Sequence, residues 1–336
     1  MEDWREDSFF AHETDYNDFM SAKVSPWVQR ELRPGSFAGK GGLYIHYFYD
    51  YREDARATIV LSHGFCEFVC KYHELMYYFS QAGFNVFFLE HRGFGYSARL
   101  TENKKMAHVE SFDDYVEDMR IFVNEELPQV FEKEEQAWGK AGAESKPLYL
   151  FGHSMGGCIA ALYAERYPND FDKVVLCSPM LSLSWGGASK NALRAMFIAK
   201  RVTSGMESYM PGYGDYVVGH RDFIHSSSQS LARYEHTMSE KDKDINFQTN
   251  GGSNGWGRAA YYAMDDAIKN ADRITAPTII FAAGKDNMVT SEGQEKFVEK
   301  NPAVKYRVFP ESKHELFNST DDIRIPYIRE VIEFLG

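Results

Sequence analysis

LYLFGHSMGGCIAALYAERY, residues 148–167, is the stretch that decides the fold. Its apolar start, LYLF, predicts a buried β-strand, and the apolar spacing after Ser154 predicts a helix. Between them, GHSMG matches G-x-S-x-G, a pattern in which a sharp strand–turn–helix connection lifts a serine hydroxyl above the edge of a sheet. We therefore predict that Ser154 is a nucleophile. The predicted elbow around it consists of Gly152, His153 and Gly156.

A serine nucleophile needs a base, and the base needs an acid to orient it. On an elbow of this kind the order along the chain is serine, aspartate, histidine. The predicted strand TIIFA (278–282) is followed closely by Asp286. The predicted strand YRVF (306–309) is followed closely by His314. Because sites collect at the carboxyl ends of parallel strands, we predict that Asp286 and His314 complete a triad with Ser154.

Backbone amides are the other requirement, because they stabilise the oxyanion of an acyl-transfer intermediate. One donor is the residue after the nucleophile, here Met155, and the other lies in a loop after an earlier strand. The strand TIVLS (58–62) runs into His-Gly-Phe at 63–65. We therefore predict the N–H groups of Met155 and Phe65 as the oxyanion hole, and a structural ion pair for the nearby Glu67.

Short apolar runs alternate with helical patterns through most of the chain. Six runs are typical of buried strands: residues 58–62, 85–90, 148–151, 174–178, 278–282 and 306–309. Near-continuous apolar strands separated by helices predict a mostly parallel sheet covered on both faces. The alternation stops after about residue 180, where helical and aromatic-rich segments run without a buried strand. We predict an α/β core of residues 1–180 and 266–336, with a helical cap or lid inserted at 181–265.

The composition predicts a globular protein that does not bind nucleic acid. The 336 residues include 49 acidic and 37 basic ones, and the net charge of −12 repels phosphate backbones. The acidic opening MEDWREDSFF is unlike a signal peptide, and no apolar run approaches the ~18 residues of a membrane span. We expect a cytoplasmic protein without an integral membrane segment. The sequence decides neither whether the protein contacts the inner membrane transiently nor which oligomeric state it has.

Two motifs point to other chemistry. His-Glu at 73–74 and at 314–315 begins like the H-E-x-x-H helix of a zinc protease, but both copies lack the second histidine. GFGYSA, residues 93–98, matches the G-x-G-x-x-A of dinucleotide loops, but the acid about 20 residues later falls within a helix pattern. Zinc and dinucleotide chemistry are therefore disfavoured.

Four segments together resemble a known family. They are EHRGFGYSARL (90–100), HVESFDDYVEDM (108–119), GHSMGG (152–157) and HELF (314–317). With most of the remaining chain, they resemble the bacterial lysophospholipase and monoacylglycerol lipase group of α/β-hydrolases, which is also labelled serine aminopeptidase-like. The resemblance implies an eight-stranded core, a helical cap after the sixth strand, no metal or other cofactor, and hydrolysis of single-chain acyl esters. The positions that fall on the family's triad and oxyanion donors are Ser154, Asp286, His314, Phe65 and Met155.

The substrate implied by the resemblance is a small lipid ester, either a lysophospholipid or a monoacylglycerol. We expect apolar side chains of the cap to line an acyl channel or to form the cap's own small core; these are Trp185, Met196, Phe197 and Phe223. Phe65 departs from the family, because monoacylglycerol lipases tend to carry a small residue there. The bulky ring is expected to narrow the mouth of the site.

Other functions stay open at this point. A short-chain carboxylesterase, a peptidase or an acyltransferase uses the same triad. An aminopeptidase of this fold holds its substrate amine on acidic cap residues, for which Glu207, Asp215 and Asp222 are the candidates. A further alternative is a binding protein that has the hydrolase fold but no longer catalyses a reaction.

Overall fold

A central, mostly parallel sheet carries the fold. The computed structural model describes residues 3–137, 146–184, 190–203 and 205–336. Within these residues the strands are β1 (Arg33–Ala38), β2 (Tyr44–Asp50), β3 (Ala57–Ser62), β4 (Phe84–Leu89), β5 (Met106–Ala107), β6 (Leu148–His153), β7 (Lys173–Cys177), β8 (Gly251–Gly252), β9 (Thr278–Ala283) and β10 (Lys305–Phe309). Eight of them form the sheet in the order β1-β2-β4-β3-β6-β7-β9-β10, while β5 pairs with β8. The strands from β4 to β10 in this order are parallel, and β1 and β2 are antiparallel to their neighbours.

The six strands predicted from apolar runs are confirmed as β3, β4, β6, β7, β9 and β10. The expected burial is wrong for β10, because it lies at the edge of the sheet and most of its residues are exposed or half-buried. β3 and β4 are buried along their whole length, as strands covered on both faces must be. β1 and β2 were not predicted. β1 lies at the edge of the sheet, where its residues alternate between half-buried and exposed and where Pro34 and Gly35 are tolerated.

Helices cover both faces of the sheet. They are α1 (Tyr16–Phe19), α2 (Ser25–Arg30), α3 (His73–Gln81), α4 (Phe112–Ile121), α5 (Leu127–Ala137), α6 (Met155–Arg166), α7 (Lys190–Val202), α8 (Leu231–Lys243), α9 (Asn254–Asn270), α10 (Ser291–Lys300) and α11 (Asp321–Leu335). One hydrophobic cluster joins α4, α6 and α9 to the sheet, and a second joins α3, α11 and the N-terminal segment. The predicted α/β fold is confirmed. In the described part of the chain, no helix combines the length and apolar character that crossing a membrane requires.

The segment between β7 and β9 contains α7, α8 and α9, and the predicted cap at 181–265 lies within this segment. α8 packs against the short helical turn Val69–Tyr72 that precedes α3. Trp256 and Ala260 of α9 belong to the same hydrophobic cluster as α4 and α6. Because α9 runs across residue 265, the division of the chain at this point remains a prediction.

Candidate active site

The predicted elbow lies where β6 ends and α6 begins. Ser154 occupies this junction with φ 52° and ψ −117°, in a region that residues with a side chain rarely adopt. Such a conformation costs on the order of 1–3 kcal/mol and persists only where surrounding contacts fix it. Here the Ser154 N–H donates to the carbonyl of Cys177 in β7, 3.0 Å away, and the Ser154 carbonyl accepts from Met180 N–H at 2.9 Å.

Glycine is required at two elbow positions because the neighbouring backbone leaves no room for a side chain. A Cβ on Gly156 would collide with the carbonyl group of Ser62, the last residue of β3. A Cβ on Gly152 would lie 2.6 Å from the carbonyl oxygen of Gly156. The first turn of α6 therefore sits directly on the end of β3.

His314 and Asp286 form a hydrogen-bonded pair in the loops after β10 and β9. Nδ1 of His314 lies 2.7 Å from Oδ2 of Asp286, and both side chains are buried. Oδ1 of Asp286 accepts hydrogen bonds from the N–H groups of Met288 and Val289, at 2.8 and 2.9 Å, which fixes the carboxylate. The aspartate thus engages Nδ1 and leaves Nε2 as the histidine nitrogen that can act as a base.

The pair lies next to the elbow. The ring of His153 packs against the ring of His314, with centroids 4.9 Å apart, and against Phe317 at 5.0 Å. Because His153 directly precedes Ser154 in the chain, these contacts place His314 near the elbow. Among the described residues no hydrogen bond joins the Ser154 hydroxyl to His314, so what the structure shows is a formed histidine–aspartate pair beside a strained serine.

Both predicted oxyanion residues lie at the same edge of the sheet. β3 and β6 are parallel neighbours, with Ser62 in register with Gly152, so the loop after β3 and the elbow after β6 adjoin. Met155 is the first residue of α6 and is fully buried. The ring of Phe65 packs on Trp256 of α9, with centroids 4.0 Å apart. The placement brings the two residues to the elbow, while their roles as donors remain predictions.

Glu67 ties the loop after β3 to the elbow. Its predicted ion pair is confirmed, with Oε1 lying 2.6 Å from Nζ of Lys71. Oε2 accepts from the Gly64 N–H at 2.6 Å and from the hydroxyl of Tyr72, and it lies 3.1 Å from Nδ1 of His153. Burial alone would raise the pKa of Glu67, but His153 and Lys71 outweigh burial and hold this pKa well below its usual range. The buried carboxylate is therefore ionised.

Two more histidines near strand ends have structural contacts. The Nε2 atom of His63 accepts from the backbone N–H of His91 at 3.1 Å, so its Nδ1 donates to the Gly64 carbonyl at 2.7 Å. The Nε2 atom of His91 lies 2.8 Å from the hydroxyl of Ser62. Burial lowers the pKa of His63 to about 4, so the ring is neutral at physiological pH. The His63 ring thus holds the backbone of the loop that carries Phe65, while the His91 ring contacts the side chain of Ser62 at the end of β3.

The cap residues predicted to line an acyl channel do not form one group. Phe197, with Met196 beside it, belongs to a small hydrophobic cluster within the cap and α9. Phe223 packs instead against Tyr234, with ring centroids 5.3 Å apart. Trp185 lies outside the described residues. A role for these side chains in binding an acyl chain remains a prediction.

Each acidic residue that an aminopeptidase would need either binds another side chain or is exposed. Asp215 accepts a hydrogen bond from the hydroxyl of Tyr209 at 2.6 Å, and Asp222 pairs with His225 at 2.9 Å on the surface. Glu207 is exposed. The described residues also contain no group of three or more histidine, cysteine, aspartate or glutamate side chains that could hold a metal ion. The arrangement is suited to nucleophilic acyl transfer by a serine with a histidine base.

The sequence matches known proteins along most of its length. Residues 53–321 match the model of the family described as serine aminopeptidase, S33. Lysophospholipase L2 of Escherichia coli (strain K12) is 24% identical over 341 residues, which cover 96% of this chain and 94% of that protein. A monoacylglycerol lipase of Mycolicibacterium smegmatis is 26% identical over 291 residues, which cover 85% of this chain and 91% of that protein.

Solved structures share the fold. A soluble variant of monoglyceride lipase from Saccharomyces cerevisiae, in complex with a substrate analog, superposes with a TM-score of 0.66 at 21% identity and covers 91% of this chain and 94% of its own. A thermostable carboxyl esterase from Bacillus coagulans, in complex with glycerol, gives a TM-score of 0.66 at 18% identity and covers 91% and 98% of the two chains. At these identities the likeness establishes a common fold.

Proposed function

The chain belongs to the α/β-hydrolase family described as serine aminopeptidase, S33, and from this premise we propose that it hydrolyses single-chain acyl esters with Ser154 as nucleophile. The enzyme is an ester hydrolase. The observation that carries the proposed mechanism is the 2.7 Å contact between His314 and Asp286 beside the elbow. The names of the two curated relatives, a lysophospholipase and a monoacylglycerol lipase, support a lipid ester as substrate.

In the proposed first step, Ser154 Oγ attacks the carbonyl carbon of the ester while Nε2 of His314 takes the hydroxyl proton. Asp286 holds the other ring proton on Nδ1 and stabilises the imidazolium that forms. The alcohol then leaves with the proton from His314, and the acyl group stays on the serine. Water, deprotonated by the same imidazole, releases the fatty acid.

The charge that develops on the carbonyl oxygen is stabilised by the amides of Phe65 and Met155 in this proposal. Support comes from the packing of α6 on the end of β3, which leaves the two backbone segments side by side. Glu67 acts as a positioning residue, because its carboxylate contacts the Gly64 N–H in one segment and His153 in the other.

The nucleophile is tested with a fluorophosphonate probe. Ser154→Ala is expected to abolish covalent labelling and ester hydrolysis while the melting temperature stays near that of the wild type. Ser291→Ala, an exposed serine at the start of α10, is the matched control and is expected to label like the wild type. Persistent labelling of Ser154→Ala would overturn the assignment.

The substrate class is tested with p-nitrophenyl esters from C2 to C16, beside a monoacylglycerol and lysophosphatidylcholine. A lipid hydrolase is expected to prefer medium or long acyl chains and to hydrolyse at least one of the two lipids. A rate maximum at C2–C4 without lipid hydrolysis would replace the lipid assignment with a short-chain carboxylesterase.

A further inference from the structure

A small cavity adjoins the proposed active site. Its volume is about 180 Å³, and its walls include Cys66 and Glu315, the residues that directly follow Phe65 and His314. The rest of its lining comes from the loop and helical turn after β3, from the cap and from the turn after His314: Phe68, Lys71, Ser226, Ser228, Tyr234, Thr237, Met238, Lys241 and Asn318. The cavity is thus bounded by the cap on one side and by both active-site loops on the other.

One lysine of this lining is buried without an anionic partner. α8 supplies Tyr234, Met238 and Lys241 at positions i, i+4 and i+7, which share one face of the helix. Lys241 is only 7% exposed, and to the described residues its ammonium makes no hydrogen bond and no ion pair. Nζ of Lys241 lies over the ring of Tyr216, 4.9 Å from its centroid. Burial lowers the pKa of Lys241, because the ammonium loses its hydration there.

The other lysine of the cavity is fully compensated. Nζ of Lys71 lies 2.6 Å from Glu67 Oε1 and 2.6 Å from Glu315 Oε1. Glu315 in turn accepts a hydrogen bond from the side-chain amide of Asn318 at 3.0 Å. The carboxylates of this wall are therefore engaged with Lys71 and Asn318, and Lys241 is left as the charge available to a bound group.

A buried cation without a partner is costly unless a ligand supplies the opposite charge. The two lipid classes proposed as substrates differ in this respect: a lysophospholipid carries a phosphodiester anion beyond its ester, and a monoacylglycerol carries only hydroxyl groups. An ammonium next to a phosphate oxygen forms a charge-assisted hydrogen bond, which is among the stronger polar contacts in proteins. A buried lysine in a cavity that adjoins both active-site loops therefore favours the phosphorylated substrate.

We propose that this cavity binds the phosphate of a lysophospholipid headgroup, with Nζ of Lys241 as its cationic ligand. The inference rests on the proposed acyl-ester hydrolysis and narrows its substrate. Thr237 and Asn318 also contribute polar side chains to the lining of the cavity.

The first test compares two substrates with the same acyl chain, lysophosphatidylcholine and a monoacylglycerol, in the same detergent micelles. Lys241→Met is expected to lower the ratio of kcat/KM for the phospholipid to that for the glycerolipid by about 10- to 100-fold, the effect of one charge-assisted hydrogen bond. Lys241→Arg is expected to retain most of the ratio. Lys243→Met, an exposed lysine of the same helix that pairs with Glu240, is the matched control and is expected to leave the ratio unchanged.

An equal loss on both substrates, or an unchanged ratio, would overturn the phosphate site. A purely structural role for Lys241 would show as a lower melting temperature of Lys241→Met. The proposal predicts no such fall, because replacing an uncompensated buried cation with an apolar side chain of similar size removes a desolvation cost.

The second test measures binding without hydrolysis and so separates this proposal from the proposed function. Glycerophosphocholine, inorganic phosphate and glycerol are titrated calorimetrically into the wild type and Lys241→Met. Binding of glycerophosphocholine that Lys241→Met weakens at least 10-fold supports the site, even if the enzyme hydrolyses neither lipid and the proposed function fails. Equal affinity for inorganic phosphate would identify a free-phosphate site and overturn the headgroup assignment, as would the absence of glycerophosphocholine binding.

Discussion

Oε2 of Glu67 lies 3.1 Å from Nδ1 of His153, and this contact joins the loop of the proposed oxyanion hole to the elbow of the proposed nucleophile. We predict that Glu67→Gln lowers kcat about 10-fold and changes KM less than about 3-fold, because the substitution removes the charge that holds both segments in register. Steady-state kinetics on a p-nitrophenyl ester give both constants.

The control for this prediction is Glu110→Gln, which alters an exposed glutamate 3.4 Å from another histidine, His108. It is expected to leave kcat unchanged. A purely structural role for Glu67 predicts a different pattern, in which the melting temperature falls while the kcat of the remaining folded enzyme stays at the wild-type value.

The triad residues of the site could be predicted from the sequence, whereas the contacts around Glu67 and Lys71 could not. Ser154, Asp286 and His314 each follow an apolar strand, so local pattern and chain order were enough to nominate them. The contacts of Glu67 with His153 and of Lys71 with Glu315 join residues 86 and 244 positions apart. No local pattern encodes such pairs, because they depend on which strands become neighbours.

The sequence also predicted only some of the strands of the fold. The parallel strands were predicted because each contains a short run of mostly apolar residues. β1 was missed because its side chains alternate between half-buried and exposed and because it contains Pro34 and Gly35. β2 is mostly buried, but it was missed because polar residues, among them His46, interrupt its apolar pattern. The buried Lys241 carried no signal either, since a lysine in a polar helix is typical of an exposed face.

The hydrogen bond between Asp286 and His314 gives a second prediction. Asp286→Asn is expected to lower kcat by roughly 10³- to 10⁴-fold, because an amide donor opposite Nδ1 favours the wrong tautomer of the imidazole. The matched control is Asp222→Asn, which alters an exposed aspartate–histidine pair with His225. Near-wild-type kcat for Asp286→Asn would show that the acid has been assigned to the wrong residue.

A buried ion cluster connects the cap to both termini of the chain. Glu74 of α3 binds Arg233 of α8 through two contacts of 2.8 and 2.9 Å, and it lies 3.2 Å from Arg324 of α11. Both guanidinium groups also donate to the carbonyl of Ala11 in the N-terminal segment. α8 is therefore fixed to the core by charge as well as by packing.

Glu74 is the buried carboxylate of this cluster, and without it Arg233 and Arg324 keep only the partly exposed Glu13 and Asp321 as anionic partners. Glu74→Gln is expected to lower the free energy of unfolding by about 3–5 kcal/mol, measured by urea denaturation. The control is Glu330→Gln, because Glu330 pairs with Arg307 on the surface and exposed pairs contribute about 0–1 kcal/mol. Similar losses for the two variants would mean that the cluster around Glu74 is no more important than a surface pair.

The carboxyl group of Glu165 in α6 lies in surroundings that disfavour its ionised form. The residue is buried, and within the described residues its Oε1 has no hydrogen-bond partner. Burial, with a smaller contribution from Asp266, raises the pKa of Glu165 to about 9. In the unfolded chain a glutamate ionises near pH 4.3, so between these values folding takes up a proton.

The free energy that Glu165 contributes to folding is thus fully present below about pH 4.3 and is lost as the pH rises towards 9. Glu165→Gln cannot titrate, so its stability relative to the wild type is expected to increase with pH, by up to about 1.4 kcal/mol per pH unit in this window. Urea denaturation at pH 5.5, 7 and 8.5 measures the difference. Glu299→Gln, an exposed glutamate of α10, is the control and is expected to show a difference that does not change with pH. If the difference for Glu165→Gln is also constant, the carboxyl group is ionised in the folded protein, and the inserted amide acts only through packing.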